Sequence, residues 1–315
     1  MSSASTCVDV LMSIYRPEKD FFEQQLRSIA KQKSDASLRL IVRNDDPSDI
    51  DREQQIRDCI DGVPLKYIHG SQNLGYVKSF EELVRQANSE YIFLSDQDDV
   101  WLPNRVEETL STFREENSVL CICDRSIIDQ DNNVICESYR HAHSSEAEVN
   151  WNSGDDITVR AASSCYGIGM ALAIRTDVAK KLVPFPSHTA HDLWLTLGAS
   201  ELGRCSFIDK PLVQYRRHGS NVSGAMTHIT CKEDWYRIRV ASRVETAKAF
   251  KALFPDSAHA ATIWEFAQAR STKSVRKLYK LRNCSPTIAR YEILLRFCPD
   301  WAFRLALRLL AARRK

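Results

Sequence analysis

The residues best suited to do chemistry form a short acidic loop after an apolar run. Asp96, Asp98 and Asp99 fall within four residues and follow Tyr91-Ile-Phe-Leu94, a run typical of a buried strand. Carboxylates this close repel one another unless a cation lies between them. Their oxygen atoms suit Mg²⁺ or Mn²⁺, whose remaining coordination positions suit a diphosphate. A solvated turn is the alternative, but the apolar strand before the loop and Val100-Trp-Leu-Pro103 after it favour a metal site.

A second acidic pair, Asp45 and Asp46, follows another predicted strand at the same edge of the sheet. In an open α/β sheet, ligands bind at the edge formed by the carboxyl ends of the strands. A carboxylate there can accept a hydrogen bond from the N3–H of uracil or thymine. Helix capping is the alternative, but Ser48 and Asp51 already have the spacing of a capping box for a helix predicted over 48–60.

Short β-rich runs alternate with helical patterns, which predicts an α/β fold with a mostly parallel sheet flanked by helices and a C-terminal helical extension. Strands are predicted over 8–12, 38–42, 65–68, 91–94, 119–123, 134–136, 170–174 and 205–208. Helices are predicted over 19–33, 48–60, 76–87, 103–116 and 192–200, and only helical patterns follow Lys232. Residues 138–155 are polar without a clear period and are predicted to be a mobile loop.

Charge is unevenly distributed, although the 315 residues carry 43 Lys and Arg against 41 Asp and Glu. From Arg270 to Lys315 there are 13 basic and two acidic residues, a formal charge of +11, which leaves −9 on the rest of the chain. A nucleic-acid-binding surface normally needs a far larger overall basic excess, so nucleic acid is not an expected partner. The sequence therefore describes an acidic body with a basic C-terminal tail.

The ten cysteines are spread from Cys7 to Cys298 and lie mostly in apolar runs, which predicts buried reduced thiols in a cytoplasmic protein. The N-terminus lacks a charged region followed by an apolar stretch, and no segment approaches the roughly 18 apolar residues of a membrane span. We therefore expect a protein that is neither secreted nor integral to a membrane.

The tail contains an amphipathic helical pattern. Arg304 and Arg308 share a narrow face beside an apolar stripe of Trp301, Leu305 and Leu309, and Arg313-Arg-Lys315 ends the sequence. A basic amphipathic helix of this kind can lie in an anionic membrane surface. The alternative is a helix that packs on the catalytic domain or on a dimer partner with its arginines in solvent.

Seven strings together resemble the family 2 glycosyltransferases of the GT-A (Rossmann-like) fold, and most of all their bacterial rhamnosyltransferase subset. They are Val10-Leu-Met-Ser-Ile-Tyr15, Gln25-Leu-Arg-Ser-Ile29, Asp45-Asp-Pro-Ser48, Asn73-Leu-Gly75, Ser95-Asp-Gln-Asp-Asp-Val-Trp-Leu-Pro103, His191-Asp-Leu-Trp194 and Tyr215-Arg-Arg-His-Gly-Ser-Asn-Val-Ser-Gly224. The resemblance spans about residues 7–224. It implies a catalytic domain over residues 1–230. The basic helical region over 231–315 lies outside the resemblance and follows from the charge and the helical patterns.

The resemblance implies a role for each matching residue. It makes Asp96 and Asp98 the acids of the family's Asp-x-Asp motif: Asp98 is the direct metal ligand, and Asp96 faces the donor's ribose or a metal-bound water. Ser13, Tyr15 and Asp46 are implied to hold the nucleotide base, Asp192 is implied to be the catalytic base, and His218 is implied to face the metal or the diphosphate. Asp192 could instead cap its helix, and His218 could be an ordinary turn histidine.

The implied activity is metal-dependent and inverting transfer of a sugar, L-rhamnose from dTDP-rhamnose, to a bacterial cell-surface polysaccharide or lipopolysaccharide. Another UDP- or dTDP-sugar and a non-catalytic nucleotide-sugar-binding protein remain as alternatives. A sugar nucleotidyltransferase is disfavoured because Ser13-Ile-Tyr-Arg-Pro17 lacks the glycines of a phosphate loop. A lipid-linked glycan acceptor would be consistent with peripheral contact of the tail with the cytoplasmic face of the inner membrane. Arg16 and Pro47 depart from the family pattern, which usually has Asn and Gly at these positions.

Overall fold

Nine strands form one sheet within residues 6–218 and 228–312, the part of the chain that the computed structural model describes. Their order is β3-β2-β1-β4-β8-β6-β9-β5, and β7 pairs with β6. The strands are β1 (Cys7–Ile14), β2 (Ser37–Asn44), β3 (Leu65–His69), β4 (Tyr91–Ser95), β5 (Val100–Trp101), β6 (Leu120–Ile128), β7 (Val134–Cys136), β8 (Leu172–Arg175) and β9 (Cys205–Arg216).

The N-terminal half of the sheet is parallel, as the strand and helix alternation predicts. Strand β1 pairs in parallel with β2 and β4, and β2 pairs in parallel with β3. In the second half, β8 runs antiparallel to both β4 and β6, whereas β6 and β9 are parallel. The sheet is therefore mixed, and the carboxyl ends of β1, β2 and β4 meet at one edge.

The helices follow the same alternation. They are α1 (Lys19–Ala30), α2 (Arg52–Cys59), α3 (Gly75–Gln86), α4 (Arg105–Glu116), α5 (Tyr139–Ala142), α6 (Thr158–Ala161), α7 (Thr176–Lys181), α8 (His191–Leu202), α9 (Lys232–Asp234), α10 (Ala241–Leu253), α11 (Ala258–Ser271), α12 (Val275–Lys280), α13 (Pro286–Phe297) and α14 (Asp300–Ala312). A 3₁₀ turn over Gly169–Ala171 precedes β8, and a π-helical segment over Trp235–Val240 precedes α10. A further 3₁₀ turn spans Arg282–Cys284.

Three local predictions are wrong. Helix α2 begins at Arg52, because Ser48 bonds to Asp46 and does not cap a helix. Strand β9 continues to Arg216, well past the predicted end at residue 208. Segment 138–155, predicted to be a mobile loop, begins with the short helix α5 and contains the buried Trp151, whose ring packs edge-on against Phe207.

The described residues divide into two compact units, which are considered separately. The first contains residues 6–157 and 165–218, and the second contains 158–164 and 228–312. In the first unit, β4 and β6 are buried along their whole lengths, as apolar central strands should be. Their burial fixes the sheet edge from which the candidate site is built.

The second unit is helical and has apolar clusters of its own. One cluster joins Trp235, Val240, Leu295, Phe303 and Ile229. The other joins side chains of α11, α12 and α13 and includes Val159 from α6 at its margin. No helix within the described ranges is long and apolar enough to cross a membrane.

Candidate active site

The acidic loop connects β4 directly to β5, so the buried strand fixes where its carboxylates begin. Asp99 is fully buried, whereas Asp96 and Asp98 are partly exposed at the edge of the sheet. One carboxylate oxygen of Asp99 accepts a hydrogen bond from the backbone N–H of Arg216 at 3.0 Å. Its other oxygen has no hydrogen-bond partner among the described residues. Asp99 therefore anchors the loop from below, and Asp96 and Asp98 form its open face.

Arg216 ties the loop to three other elements, a role that the sequence did not reveal. This fully buried arginine donates through Nε to the carbonyl oxygen of Asp98 at 2.9 Å. Its Nη1 donates to Asn132 Oδ1 at 2.8 Å, and its Nη2 donates to Gln24 Oε1 at 2.9 Å. The guanidinium also lies 4.4 Å from the centre of the Phe21 ring. The end of β9 thus sets the position of the acidic loop.

A second buried arginine, Arg105, lies behind the loop at the start of α4. It is 1% exposed, donates to the carbonyl oxygen of Leu94 at 3.3 Å and stacks 3.7 Å over the Trp101 ring. Burial lowers its pKa to about 10, against the opposing influence of Asp99 and Asp96. Arg105 therefore supplies positive charge beneath the carboxylates. Its only signal in the sequence is its place two residues after Pro103, in the first turn of the predicted helix.

The structure brings Asp98 and His218 together. Nε2 of His218 lies 2.9 Å from Oδ2 of Asp98, and the His218 ring packs 5.4 Å from that of Phe21. The rest of the Tyr215–Gly224 string, from Gly219 onward, lies outside the described residues. His218, which the resemblance implies to face the metal or the diphosphate, therefore lies against the acidic loop.

The donor set of the loop fits a divalent cation. Burial, together with the charges of Asp98 and Asp192, raises the pKa of Asp96 to about 7. A cation beside the loop would offset this repulsion, and carboxylate and imidazole donors suit Mg²⁺ or Mn²⁺. Among residues 6–218 and 228–312, no three His, Cys, Asp or Glu side chains are already arranged as a complete metal site. A cation here would therefore share its coordination with a ligand such as a diphosphate.

The two acids at the end of β2 have different roles, which their adjacency in sequence concealed. Asp45 is buried, accepts hydrogen bonds from the N–H groups of Leu74 and Gly75 at 2.9 and 2.8 Å, and pairs with Arg43. Gly75 adopts φ +74°, which favours glycine. Asp45 therefore shapes the Asn73-Leu-Gly75 turn and is not available to a ligand.

Asp46 faces the end of β1 instead. One of its oxygens accepts from the N–H and hydroxyl of Ser48 at 3.0 and 2.6 Å, and the other accepts from Arg16 Nε at 2.8 Å. These bonds, foremost those from Ser48, lower the pKa of Asp46 to about 2. A carboxylate can accept about four hydrogen bonds, so Asp46 can take one more. Arg16 adopts φ +46°, a region that the Asn usual in the family tolerates more readily.

Tyr15 lies between these two acidic sites. It comes directly after β1, whose penultimate residue is Ser13, and its side chain is 43% exposed. Its backbone N–H donates to Oε1 of Gln97 at 2.9 Å, which joins the end of β1 to the acidic loop. The Arg16 guanidinium lies 5.1 Å from the centre of the Tyr15 ring. The ring is thus an accessible aromatic surface between Asp46 and the loop.

Asp192 lies in the first turn of α8 but does not cap it, since the N-cap residue is Ala190. Its Oδ2 accepts from the N–H of Gly169 at 3.2 Å and from the Cys165 thiol at 3.7 Å. Asp192 also interacts electrostatically with Asp96 of the loop. The fold therefore brings the predicted base and the predicted metal-binding acids to one site, although they are almost 100 residues apart.

His191 holds this first turn in place. It is 6% exposed, and its ring stacks on Phe80 of α3 with centroids 3.9 Å apart. A side chain at residue 169 would meet His191 Nε2 at 3.0 Å, so Gly169 allows the close approach that lets its N–H reach Asp192. Burial lowers the pKa of His191, which keeps the ring neutral. The His-Asp pair therefore joins a packing residue to an accessible carboxylate.

A sheet edge with an acidic loop, an exposed aromatic ring and a nearby carboxylate has the composition of a nucleotide-sugar site. The family model for glycosyl transferase family 2 matches residues 9–182, and the chain belongs to this family. The match includes Ser13, Tyr15, Asp46, Asp96 and Asp98 and ends before Asp192 and His218. No curated protein matches the sequence.

Solved structures of similar fold are GT-A glycosyltransferases. TarS 1-349 from S. aureus in complex with UDP-GlcNAc aligns with a TM-score of 0.60 and 16% identity, over 91% of this chain and 83% of that one. The mannosyltransferase PcManGT from Pyrobaculum calidifontis, in complex with GDP-Man and Mn²⁺, aligns with a TM-score of 0.54 and 16% identity, over 99% and 87% of the two chains. The predicted GT-A fold is confirmed, with a mixed sheet and a helical C-terminal region.

Proposed function

We propose that the chain is a metal-dependent inverting glycosyltransferase with Asp192 as its general base. The observation that carries this proposal is the convergence of the acidic loop and Asp192: Asp96 interacts electrostatically with both Asp98 and Asp192. If the loop holds the diphosphate of a sugar donor, the anomeric carbon of that sugar would lie between the loop and Asp192. This juxtaposition of metal-binding acids and a separate carboxylate is what sugar transfer from a nucleotide donor requires.

The donor nucleotide lies across the ends of β1 and β2 in this proposal. The Tyr15 ring stacks on the base, Asp46 accepts its N–H with the remaining lone pair, and Ser13 lines the floor. The pKa of about 2 keeps Asp46 ionised at neutral pH, as a hydrogen-bond acceptor must be. UDP-GlcNAc and GDP-Man in the neighbouring structures support a nucleotide-sugar donor.

Asp98, Asp96 and His218 would hold the cation. A bound Mg²⁺ or Mn²⁺ supplies Lewis acidity that neutralises the charge developing on the departing diphosphate. The mannosyltransferase structure in complex with GDP-Man and Mn²⁺ supports the proposal of a divalent metal. Arg216 and Asp99 keep the loop in position for these ligands without touching the donor.

Asp192 takes the proton of the acceptor hydroxyl as that oxygen bonds to the anomeric carbon. The bond from this carbon to the diphosphate breaks on the opposite side, and its electron pair leaves with the nucleotide diphosphate. The configuration at the anomeric carbon therefore inverts, and no covalent enzyme intermediate forms. Hydrogen bonds from Gly169 and Cys165 fix the direction of the carboxylate for this step.

For the donor we propose L-rhamnose carried by dTDP, and for the acceptor a bacterial cell-surface polysaccharide or lipopolysaccharide. The support is the set of strings shared with the rhamnosyltransferase subset, including Ser95-Asp-Gln-Asp-Asp-Val-Trp-Leu-Pro103. The test is release of nucleotide from dTDP-rhamnose, UDP-glucose, UDP-GlcNAc and GDP-mannose with Mn²⁺, with Mg²⁺ or with EDTA. We expect turnover of dTDP-rhamnose that EDTA abolishes. Binding without turnover of any donor would instead indicate the non-catalytic alternative.

We also propose that the C-terminal helices place the enzyme on the cytoplasmic face of the inner membrane. On α14, Trp301, Leu305 and Leu309 are 70%, 50% and 60% exposed and lie on one stripe, four residues apart. Phe303 and Leu307 face the opposite way, into an apolar cluster. The helix is therefore apolar on its outer face as well as its inner one, which is unusual for a surface helix in water.

Helix α13 extends this outer face. Leu294 and Phe297 are 64% and 74% exposed, while their neighbour Leu295 is buried in the same cluster as Phe303. The segment from residue 270 onward carries a formal charge of +11, and each basic residue near an anionic membrane contributes about 1 kcal/mol. Apolar side chains surrounded by positive charge suit an anionic lipid surface. The predicted Arg313-Arg-Lys315 end lies outside the described residues.

Vesicle co-sedimentation tests this surface. The triple substitution Trp301→Ser, Leu305→Ser and Leu309→Ser should weaken binding to phosphatidylglycerol vesicles by tenfold or more, because each apolar side chain contributes about 1.5–3 kcal/mol when fully buried. The control is Val134→Ser with Ile135→Ser, two exposed apolar residues of β7. Vesicle binding by the triple variant equal to that of the parent would refute the proposal. If the triple variant binds vesicles like the parent but no longer forms a dimer, the apolar face belongs to a partner chain.

A further inference from the structure

Arg125 is a buried cation without a bonding partner in the first unit. It is 9% exposed, and within residues 6–218 and 228–312 its guanidinium makes neither a hydrogen bond nor an ion pair. It lies 3.7 Å over the centre of the Tyr139 ring. The nearby Asp124 carboxylate is engaged elsewhere, by the hydroxyl of Ser138 at 2.5 Å and the N–H of Arg140 at 3.0 Å. Arg125 is thus buried without an anion that is hydrogen-bonded or ion-paired to its guanidinium.

Another arginine of equal burial shows the usual arrangement. Arg140 is also 9% exposed and also stacks on an aromatic ring, that of Phe207 at 4.3 Å. It donates to Asn152 Oδ1 at 3.2 Å and pairs with Asp209 at 3.6 Å. Burial lowers the pKa of Arg125, and Tyr139 and Asp124 oppose this lowering only in part. The absence of a protein partner at Arg125 indicates that the anion comes from a ligand.

The strand geometry directs Arg125 toward the candidate base. The pairing of β6 with β9 shifts register between Cys123 and Asp124 and again between Asp124 and Arg125. Such bulges reorient side chains and often lie beside active sites. Strand β6 pairs antiparallel with β8, with Ile122 opposite Leu172, so the chain from Ile122 to Arg125 runs along the segment before Leu172. That segment contains Gly169, whose N–H donates to Oδ2 of Asp192 at 3.2 Å. Arg125 and Asp192 therefore lie along the same segment of the chain.

We propose that Arg125 binds an anionic group, a phosphate or a carboxylate, of the acceptor glycan while Asp192 holds the acceptor hydroxyl. The inference rests on the proposed function, because Asp192 must be the base for its neighbourhood to receive an acceptor. The donor diphosphate has its own place at Asp98 and His218. The Tyr139 ring covers one face of the guanidinium and leaves its edge free for bidentate hydrogen bonds.

Three sugars of similar size test this site: glucose 1-phosphate, glucuronic acid and methyl glucoside. Each is titrated into the full chain by calorimetry. The parent should bind at least one anionic sugar tenfold or more tightly than methyl glucoside, and the preferred probe distinguishes phosphate from carboxylate. Arg125→Gln should lose that preference, because a neutral amide cannot form charge-assisted bonds. Arg125→Lys should keep only part of the preference for anionic sugars, since lysine lacks the planar pair of N–H donors that a guanidinium offers.

The matched control is Arg140→Gln, which should keep the preference but melt at a lower temperature because its paired anion loses a partner. Arg125→Gln should melt no lower than the parent. Unchanged affinity of Arg125→Gln for the anionic probes would overturn the proposal, as would a parent that binds all three sugars alike. A parent that prefers anionic sugars yet releases no nucleotide from any donor would refute the proposed function and leave the Arg125 site standing.

Discussion

Replacing Arg216 with methionine should loosen the acidic loop. The arginine is fully buried and donates to Asp98, Asn132 and Gln24 at 2.8–2.9 Å, which joins β9 to the loop, to the turn between β6 and β7, and to α1. Methionine has a similar length, so it retains contact with Phe21 but none of these bonds. The acceptors on Asp98, Asn132 and Gln24 would lose their charged donor but are exposed enough for water to replace it in part.

The expected loss follows from the number of bonds. Each hydrogen bond from a charged donor contributes about 1.5–3 kcal/mol, and bonds that share one side chain are not additive. Because water can partly replace the lost donor at these acceptors, we expect Arg216→Met to lower the free energy of unfolding of the first unit by about 1.5–3 kcal/mol, the contribution of one such bond. Arg114→Met, in an exposed pair with Glu107, should cost less than about 1 kcal/mol.

Urea unfolding combined with hydrogen–deuterium exchange measures this effect. We expect faster exchange in the peptides that cover residues 96–101 and 129–133, and weaker nucleotide binding, because the loop loses its anchor. An Arg216→Met protein that loses less than about 1 kcal/mol and exchanges like the parent in both peptides would refute this account of the loop.

Three further predictions concern other buried or site groups. Burial raises the pKa of Asp9, but hydrogen bonds, foremost from Arg39, outweigh burial and lower it. Asp9 therefore stabilises the fold at pH values above its unfolded pKa of about 3.9, and this stabilisation is lost as the pH falls through the lower folded pKa. Asp9→Asn should make the free energy of unfolding depend less on pH in the acid range. Arg270→Met should destabilise the helical unit by about 3–5 kcal/mol because it leaves Glu292 buried and unpaired, and adding Glu292→Leu should restore most of the loss in urea unfolding. His218→Gln should raise the Mn²⁺ concentration for half-maximal nucleotide release about tenfold or more, whereas an unchanged value would remove His218 from the metal site.

The elements around the site followed from local pattern. Strand β4 is a continuous apolar run that leads into Asp96, and parallel strands separated by helices place their carboxyl ends at one edge. The turn at residues 129–133 is equally local, since Asp129 accepts hydrogen bonds from the N–H groups of Asp131 and Asn133. These features depend on near neighbours, which sequence patterns record well.

Contacts between residues that are distant in the sequence could not be predicted from local pattern. Strand β9 was predicted to end at 208 but continues through Pro211, which lies opposite Asp124 at a bulge, where a strand tolerates proline. Adjacent carboxylates such as Asp45 and Asp46 have the same local pattern, and only the ion pair of Asp45 with Arg43 separates their roles. The partners of Arg216 and the surroundings of Arg125 depend on strand order and bulges, so neither could be assigned from the sequence alone.

The transfer rate of Asp192→Asn tests the central proposal most directly. With the donor that the parent uses best, the asparagine variant should lose about 10²–10⁴-fold in kcat, because it cannot accept the proton, while its affinity for the nucleotide stays unchanged. The matched control Asp177→Asn, an exposed carboxylate of α7 paired with Arg175, should keep the parent rate. An Asp192→Asn protein as active as the parent would contradict the assignment of Asp192 as the base.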